Sequence, residues 1–251
     1  MKPAPFHYLA PGSLDQALDA LRDEEARALA GGQSLVPMLN FRLSFPSLLV
    51  DLNPLAELEQ LSVGDDGSLR IGALTRHAAL ERSALVGGRW PLLSQAAAHV
   101  GHAAIRTRGT VGGSVAHADP AAELPVALAA LDARFALRCA CGERTLTAGE
   151  LFLGALTTAL HVGELVVAVE VPAPPPGARM AFVEHARTHG DFAQAGVAVV
   201  WAPGEHAAIA LLGAGETPVR AAAAERALLD GASVAEVAAL AGSAGSEGSG
   251  G

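Results

Sequence analysis

The sequence predicts an α+β protein, and three observations carry that reading. Short apolar runs of strand length alternate with runs whose apolar residues recur at helical spacing, and glycine or proline marks most transitions. Residues 172–177 hold four prolines and one glycine, which continue neither a helix nor a central strand, so the chain divides there. Beyond that break three strand candidates precede two helix candidates, the order of a sheet layered against helices.

The elements follow in order. Ser13 stands three residues before Gln16 in a capping-box pattern, and Leu14, Ala17, Leu18 and Leu21 line one helical face. Residues 26–30 read as a strand ended by Gly31-Gly32, 35–41 as one or two helical turns, and 48–52 as a strand closed by Asn53-Pro54. A strand at 68–74 follows the turn at 65–67, and Thr75 is read as the cap of a short helix to Arg82. Residues 90–100 form a helix with Pro91 in its first turn, closed by Gly101. The glycine-rich, polar stretch 105–118 has no clear period. Asp119-Pro120 reads as N-cap and first residue of a helix whose face is Leu124, Ala127, Leu128 and Leu131. Residues 133–139 alternate as a strand, 142–144 make a turn, and 165–171 are a further strand. After the break, 180–185, 196–201 and 207–212 are strands, and 218–229 and 234–240 are helices, the last opened by Ser233 and Glu236. The Gly/Ser-rich residues 242–251 read as a disordered tail.

Composition narrows the function classes. The 251 residues are 51% hydrophobic and 17% charged, the balance of a globular chain of one large domain or two intimate subdomains. A net charge of −9 disfavours nucleic acid and anionic membrane surfaces, but leaves open a small anion held by uncharged backbone N–H groups. Aromatics are only 4%, so the core must be Ala, Leu and Val. No apolar run approaches the roughly 18 residues of a membrane span. Residues 1–8 show no apolar stretch behind Lys2, so no secretory signal is expected and the cytoplasm is the default address. Cys139 and Cys141 are too few to ligate zinc or an iron–sulfur cluster and lack the C-x-x-C spacing of a redox pair; they read as two ordinary thiols.

Two glycine pairs are the candidate chemistry. Ala30-Gly31-Gly32-Gln33-Ser34-Leu35 follows a strand, and Thr110-Val111-Gly112-Gly113-Ser114 precedes a helix. Glycine lets a ligand approach the backbone, and successive N–H groups form anion-binding nests. Two such loops meeting in space would hold a pyrophosphate from both sides. From spacing alone the plainer reading, two tight turns with polar neighbours, stands first. Neither loop is a G-x-G-x-x-G or G-x-x-x-x-G-K-[ST] fingerprint, so Rossmann and P-loop readings lack support. His185 with His189, and His99 with His102, have no H-E-x-x-H context for a metal, and none is expected. Ser114 in Gly-Gly-Ser-Val-Ala resembles a nucleophile elbow only faintly, because Arg106-Thr107-Arg108 replaces the apolar strand a hydrolase needs.

Residues 30–42, AGGQSLVPMLNFR, and 105–125, IRTRGTVGGSVAHADPAAELP, resemble the two flavin-binding signatures of the FAD-carrying medium subunits of molybdenum hydroxylases. That family includes the carbon monoxide dehydrogenase medium chain and the FAD domain of xanthine dehydrogenase. Weaker matches occur in order at Val50-Asp51-Leu52, RIGA at 70–73, 157–160 and RTHGDFA at 187–193, and the resemblance runs from about Phe6 to about Gly231.

The resemblance implies a vanillyl-alcohol-oxidase-type (PCMH-type) FAD-binding fold. Its parts are an N-terminal FAD-binding subdomain over 1–54, a second over 55–173, a shortened C-terminal sheet-and-helix subdomain over 178–241, and the tail. It implies that Ala30, Gly31, Gly32, Gln33, Ser34 and Leu35, with Thr110, Val111, Gly112, Gly113 and Ser114, contact FAD. It further implies Glu123 near the sugar or ribityl hydroxyls, Asp119 as a cap or beside the same hydroxyls, Phe182 beside the isoalloxazine or in the core, and Asp191 ordering the third subdomain. The implied function is electron transfer from the iron–sulfur clusters of a small 2Fe-2S subunit, fed by a large molybdopterin-binding subunit, through FAD to an acceptor, with no catalytic acid or base required of this chain. A stand-alone flavoprotein oxidising a small organic substrate is the alternative, and a scaffold that has lost FAD is disfavoured by the intact glycine loops. Glu184 departs from the Lys common in relatives near that position, and the C-terminal helix is short.

Overall fold

The computed structural model describes residues 2–188 and 190–245. A parallel three-stranded sheet, β1 (His7–Leu9), β2 (Ala26–Leu29) and β3 (Leu48–Asp51), has the order β1-β3-β2. Helix α1 (Leu14–Ala20) joins β1 to β2, and α2 (Leu35–Asn40) joins β2 to β3. Ser13 caps α1 by accepting from the Gln16 amide, and Leu14, Ala17 and Leu18 turn inward as their spacing requires.

The second sheet is antiparallel: β4 (Leu61–Val63), β5 (Leu69–Gly72), β6 (Arg134–Cys139), β7 (Gly142–Thr147) and, central between β5 and β6, β10 (Leu165–Val171). The hairpin of β8 (Phe152–Gly154) and β9 (Thr157–Thr158) lies between β7 and β10 in the chain. Strand β10 is apolar but for Glu170, because both of its faces are covered. Leu165 and Val167 join the core beneath α1, while Val166, Val169 and Val171 join the main core.

Between β5 and β6 the chain forms six helices: α3 (His77–Arg82), α4 (Ala84–Arg89), α5 (Pro91–His99), α6 (Ala103–Arg106), α7 (Val111–His117) and α8 (Glu123–Ala130). A short helix α9 (Ala148–Leu151) follows β7, opened by a Thr147–Glu150 capping box. The third sheet, β11 (Arg179–His185), β12 (Ala195–Ala202), β13 (His206–Leu212) and β14 (Val219–Arg220), is an antiparallel meander. Its outer face carries α10 (Ala222–Leu229) and α11 (Val234–Ala244) around Ile209 and Ala224. Helix α8 is buried along its whole length because it lies between the second and third sheets, in one core with Phe135, Leu137, Ala198 and Ala208. Trp90, fully buried at the start of α5, donates its indole N–H to the Pro172 carbonyl at 2.8 Å and so ties that helix to the end of β10.

Several expectations are corrected. The stretch 105–118 is helical at both ends, as α6 and α7; two glycines within seven residues hide the period of α7. Asp119 does not cap α8, which starts at Glu123 behind Ala122; Asp119 Oδ1 instead accepts from the Ala121 amide and closes the preceding turn. Thr75 is not a cap, since Arg76 precedes α3. Residues 142–144 open strand β7, and 219–220 are a strand ahead of α10. Helix α11 runs on to Ala244, and residues 246–251 of the expected tail lie outside the described residues. Cys139 and Cys141 are joined in a disulfide at the β6–β7 turn, where a hairpin folds the two side chains together, and are not free thiols.

Candidate functional site

The two glycine turns, distant in the chain, touch. Strand β2 ends at Leu29 and delivers Gly31 and Gly32; α7 begins just after Thr110. A Cβ at Gly31 would lie 2.2 Å from the Arg108 carbonyl oxygen and 2.8 Å from Gly109 Cα, so only glycine permits this approach. A Cβ at Gly112 would lie 2.5 Å from Ala73 Cβ, which sets α7 directly on the end of β5. Gly32 has φ +71°, a left-handed conformation that favours glycine.

A polar clamp holds the turns together. Asn53 Nδ2 donates to the Ala30 carbonyl at 3.0 Å, Arg76 Nη2 donates to Asn53 Oδ1 at 2.7 Å, and Arg76 Nη1 donates to the Arg108 carbonyl at 2.7 Å. Behind the clamp the Tyr8 hydroxyl donates to Asp51 in a short hydrogen bond.

The amides of the two turns differ. Among the described residues those of Gly31, Gly32, Gln33 and Ser34 donate to no protein acceptor. Those of Val111, Gly112, Gly113 and Ser114 are taken by Thr75 O, Ala73 O, Thr110 Oγ1 and Thr110 O. The first turn is therefore the donor nest, and the second is a close-packed helix end that lets a ligand approach.

The turns open onto a cleft of about 760 Å³. Ala30, Gly31, Gly32, Gln33, Ser34, Leu35, Thr110, Gly112, Gly113, Ser114, Asp119 and Glu123 all line it. Val111, expected to contact FAD, and Phe182, expected beside the isoalloxazine or in the core, do not. Val111 turns its apolar side chain into the main core, and Phe182 is buried there, 5.5 Å between ring centroids from His99. Asp191 lines the far end and accepts from the Thr188 hydroxyl at 2.7 Å; a Cβ at the neighbouring Gly190 would meet His102.

Two buried titratable groups face the cleft. Burial pushes the Glu123 carboxyl up to about 7, with Glu184 and Asp119 adding to the rise against the opposing effect of its own backbone amide. Burial likewise lowers His77 to about 4, opposed by the Thr110 backbone and reinforced by Arg106 and Arg76. The sequence reading missed His77, which opens α3 and meets the cleft only through its tertiary contact with Gly109. It gave no site role to the wall formed by Leu160, Val162, Leu165 and Val166.

Residues 4–174 match the family described as the FAD binding domain in molybdopterin dehydrogenase. The chain belongs to that family. It is 46% identical to the 6-hydroxypseudooxynicotine dehydrogenase complex subunit alpha of Paenarthrobacter nicotinovorans over 237 residues, 92% of this chain and 80% of the relative. It is 42% identical to the caffeine dehydrogenase subunit beta of Pseudomonas sp. (strain CBB1), covering 91% of this chain and 80% of that one. A solved chain of carbon monoxide dehydrogenase from Hydrogenophaga pseudoflava superposes with a TM-score of 0.91 at 38% identity, covering 96% of this chain and 86% of the other.

The FAD-binding family's cofactor suits what is present. The donor nest at 31–34, the side-chain-free approach at Gly31 and Gly112, and a cleft with both polar and apolar walls accept a long dinucleotide carrying a diphosphate. A flavin supplies one- and two-electron redox chemistry when bound. As an FAD-binding domain of this family, the chain is part of an oxidoreductase. Among the described residues no helix is long and apolar enough to cross a membrane, and no cluster of His, Cys, Asp or Glu forms a metal site; His189 lies outside the described residues.

Proposed function

We propose that this chain is the flavin-carrying subunit of a molybdenum hydroxylase complex. It receives electrons from iron–sulfur clusters on a small 2Fe-2S subunit, fed by a large molybdopterin-binding subunit, and passes them through FAD to an acceptor. The observation that carries the reading is the contact of Gly31 with Arg108 and Gly109, which places a nest of unpaired amides at the junction of the two turns. In this reading the amides of Gly31, Gly32, Gln33 and Ser34 bind the diphosphate, Thr110 and Gly112 to Ser114 form the opposing wall, and Asp119 and Glu123 orient the sugar or ribityl hydroxyls. The apolar lining around Leu35, Leu160 and Leu165 excludes water from the rest of the cofactor.

In this reading the chain divides at 1–54, 55–173 and 178–241, with one sheet in the first and last parts and two in the second. It includes a cytoplasmic location, which rests on the sequence reading alone. Relatives named as subunits of dehydrogenase complexes support a multi-subunit setting. Tagged chain purified from its native source tests the function. Co-elution with a molybdopterin-binding and a 2Fe-2S subunit, with FAD bleached when the complex meets its substrate, is expected. A chain that purifies alone and turns over an organic substrate by itself would overturn it.

A further inference from the structure

The disulfide of Cys139 and Cys141 has no task in the flavin reading, and its two sulfurs are unlike. Cys139 ends β6 and faces Gly142, which opens β7, as the last pair of the hairpin ladder; Cys141 lies in the turn between them. Cys139 is half-buried, whereas Cys141 is exposed. The Cys141 amide donates to Cys139 Sγ at 3.2 Å. The β6 side of the turn is anchored. Leu137 is fully buried in the main core, and Arg138 is ion-paired with Asp15 of α1 at 3.1 Å and with Glu143 at 3.5 Å.

Thiol–disulfide exchange needs one sulfur open to attack and another that leaves readily as a thiolate. Exposure gives Cys141 the first role. The second falls to Cys139, because an N–H aimed at its sulfur favours the anion. We propose that Cys139 and Cys141 form a reversible two-electron exchange site for a small thiol of the glutathione class, attacked at Cys141 with Cys139 as the leaving group. A small thiol suits the site better than a protein reductant does. The hairpin is paired as far as Cys139 and Gly142, so it offers no extended segment for a second protein to hold. The inference stands apart from the flavin reading, since neither cysteine lines the cleft.

The exchange balances in two steps. A thiolate of the small thiol attacks Cys141 Sγ; a new S–S bond forms there, the bond to Cys139 breaks, and Cys139 Sγ leaves with the electron pair and takes a proton from water. A second small thiolate then attacks the small thiol's own sulfur in that mixed disulfide. Cys141 leaves as a thiolate and is protonated in turn, and the small disulfide departs. Two small thiols are oxidised, the protein disulfide is reduced by two electrons, and the reverse sequence closes it again. Because Leu137 and Arg138 hold the root of the turn, the sheet survives either state.

The test joins two measurements on the full, folded chain. In the first, the wild type is equilibrated with mixtures of reduced glutathione and glutathione disulfide, and alkylation followed by intact mass counts the free thiols. The pair is expected to open and close as a unit, two thiols at a time, with the circular dichroism spectrum unchanged. In the second, Cys139→Ser and Cys141→Ser each leave one thiol, so a mixed disulfide with glutathione cannot resolve and accumulates. Cys139→Ser, which keeps the exposed sulfur, is expected to take up glutathione from its disulfide about tenfold or more faster than Cys141→Ser. Equal rates, or a faster Cys141→Ser, would overturn the assignment of roles. A pair that stays free under glutathione disulfide, or that stays closed under reduced glutathione and opens only with a thioredoxin-type dithiol protein, would overturn the site itself.

Discussion

Gly31 and Arg108 are in backbone contact: a methyl group on the glycine would sit 2.2 Å from the arginine's carbonyl oxygen. That contact joins the end of β2 to the segment leading into α7, and both segments line the cleft. Gly31→Ala and Gly112→Ala therefore collide with other parts of the fold, and each is expected to destabilise the chain by about 1–3 kcal/mol and to lose FAD. Gly32→Ala meets only side chains, Val36 at 3.2 Å and Leu29 at 3.3 Å, but must hold φ +71°. It is expected to cost about 1–2 kcal/mol and to keep the fold. Urea melts with bound-flavin absorbance separate the two classes.

The clamp of Asn53 and Arg76 is expected to act on affinity more than on stability. Arg76→Ala removes both guanidinium bonds and lets the turns part, so FAD affinity should fall about tenfold, the equivalent of one lost charged hydrogen bond, with little change in melting. Arg76→Lys should rescue only part of this, because a lysine reaches one acceptor at a time. Titration of flavin-free protein with FAD measures it.

Stability against pH should carry two opposed contributions in flavin-free protein. Glu123 has its folded value raised from 4.5 to about 7, so its burial is without cost below about 4.5 and destabilises progressively as pH rises to about 7, by roughly 3 kcal/mol in full. His77 has its folded value lowered from 6.5 to about 4, so the stability of its neutral form is present above 6.5 and lost as pH falls to about 4, by a similar amount. Glu123→Gln should flatten the alkaline side and His77→Gln the acid side. Denaturation midpoints from pH 4 to 8 decide it, and an unchanged profile in either variant would refute that residue's assignment.

Trp90→Phe should cost about 1 kcal/mol, because it removes the indole hydrogen bond to the Pro172 carbonyl at the junction of α5 and β10. Thr110→Ala should cost about 1 kcal/mol by uncapping α7, and Thr110→Ser much less. Chemical denaturation followed by Trp201 fluorescence in the Trp90→Phe background, and by circular dichroism for the Thr110 variants, checks both.

Much of the fold was legible because its signals are local. Ser13 with Gln16, Pro91, and Ser233 with Glu236 mark helix starts through hydrogen bonds and ring geometry that need no tertiary partner. Strand β10 was legible from its apolar run alone. Helix α7 was not, because Gly112 is there to approach Ala73, a tertiary requirement that weakens the local helical signal. At the site, the glycine turns were visible in the sequence, while the division of labour between them was not. Whether an amide is free depends on Ala73, Thr75 and Thr110, which only the fold brings into reach. For Phe182 the sequence left the core and the cofactor's side both open for the same reason: a strand residue's face is set by register, and β11 turns it into the core toward His99.

The central claim is that the unpaired amides of the first glycine turn hold the diphosphate. Amide NMR of ¹⁵N-labelled chain, titrated in parallel with FAD and with riboflavin, tests it most directly. Large downfield shifts of Gly31, Gly32, Gln33 and Ser34 with FAD, absent with riboflavin, are predicted. FAD bound tightly with those four amides unmoved would contradict the account.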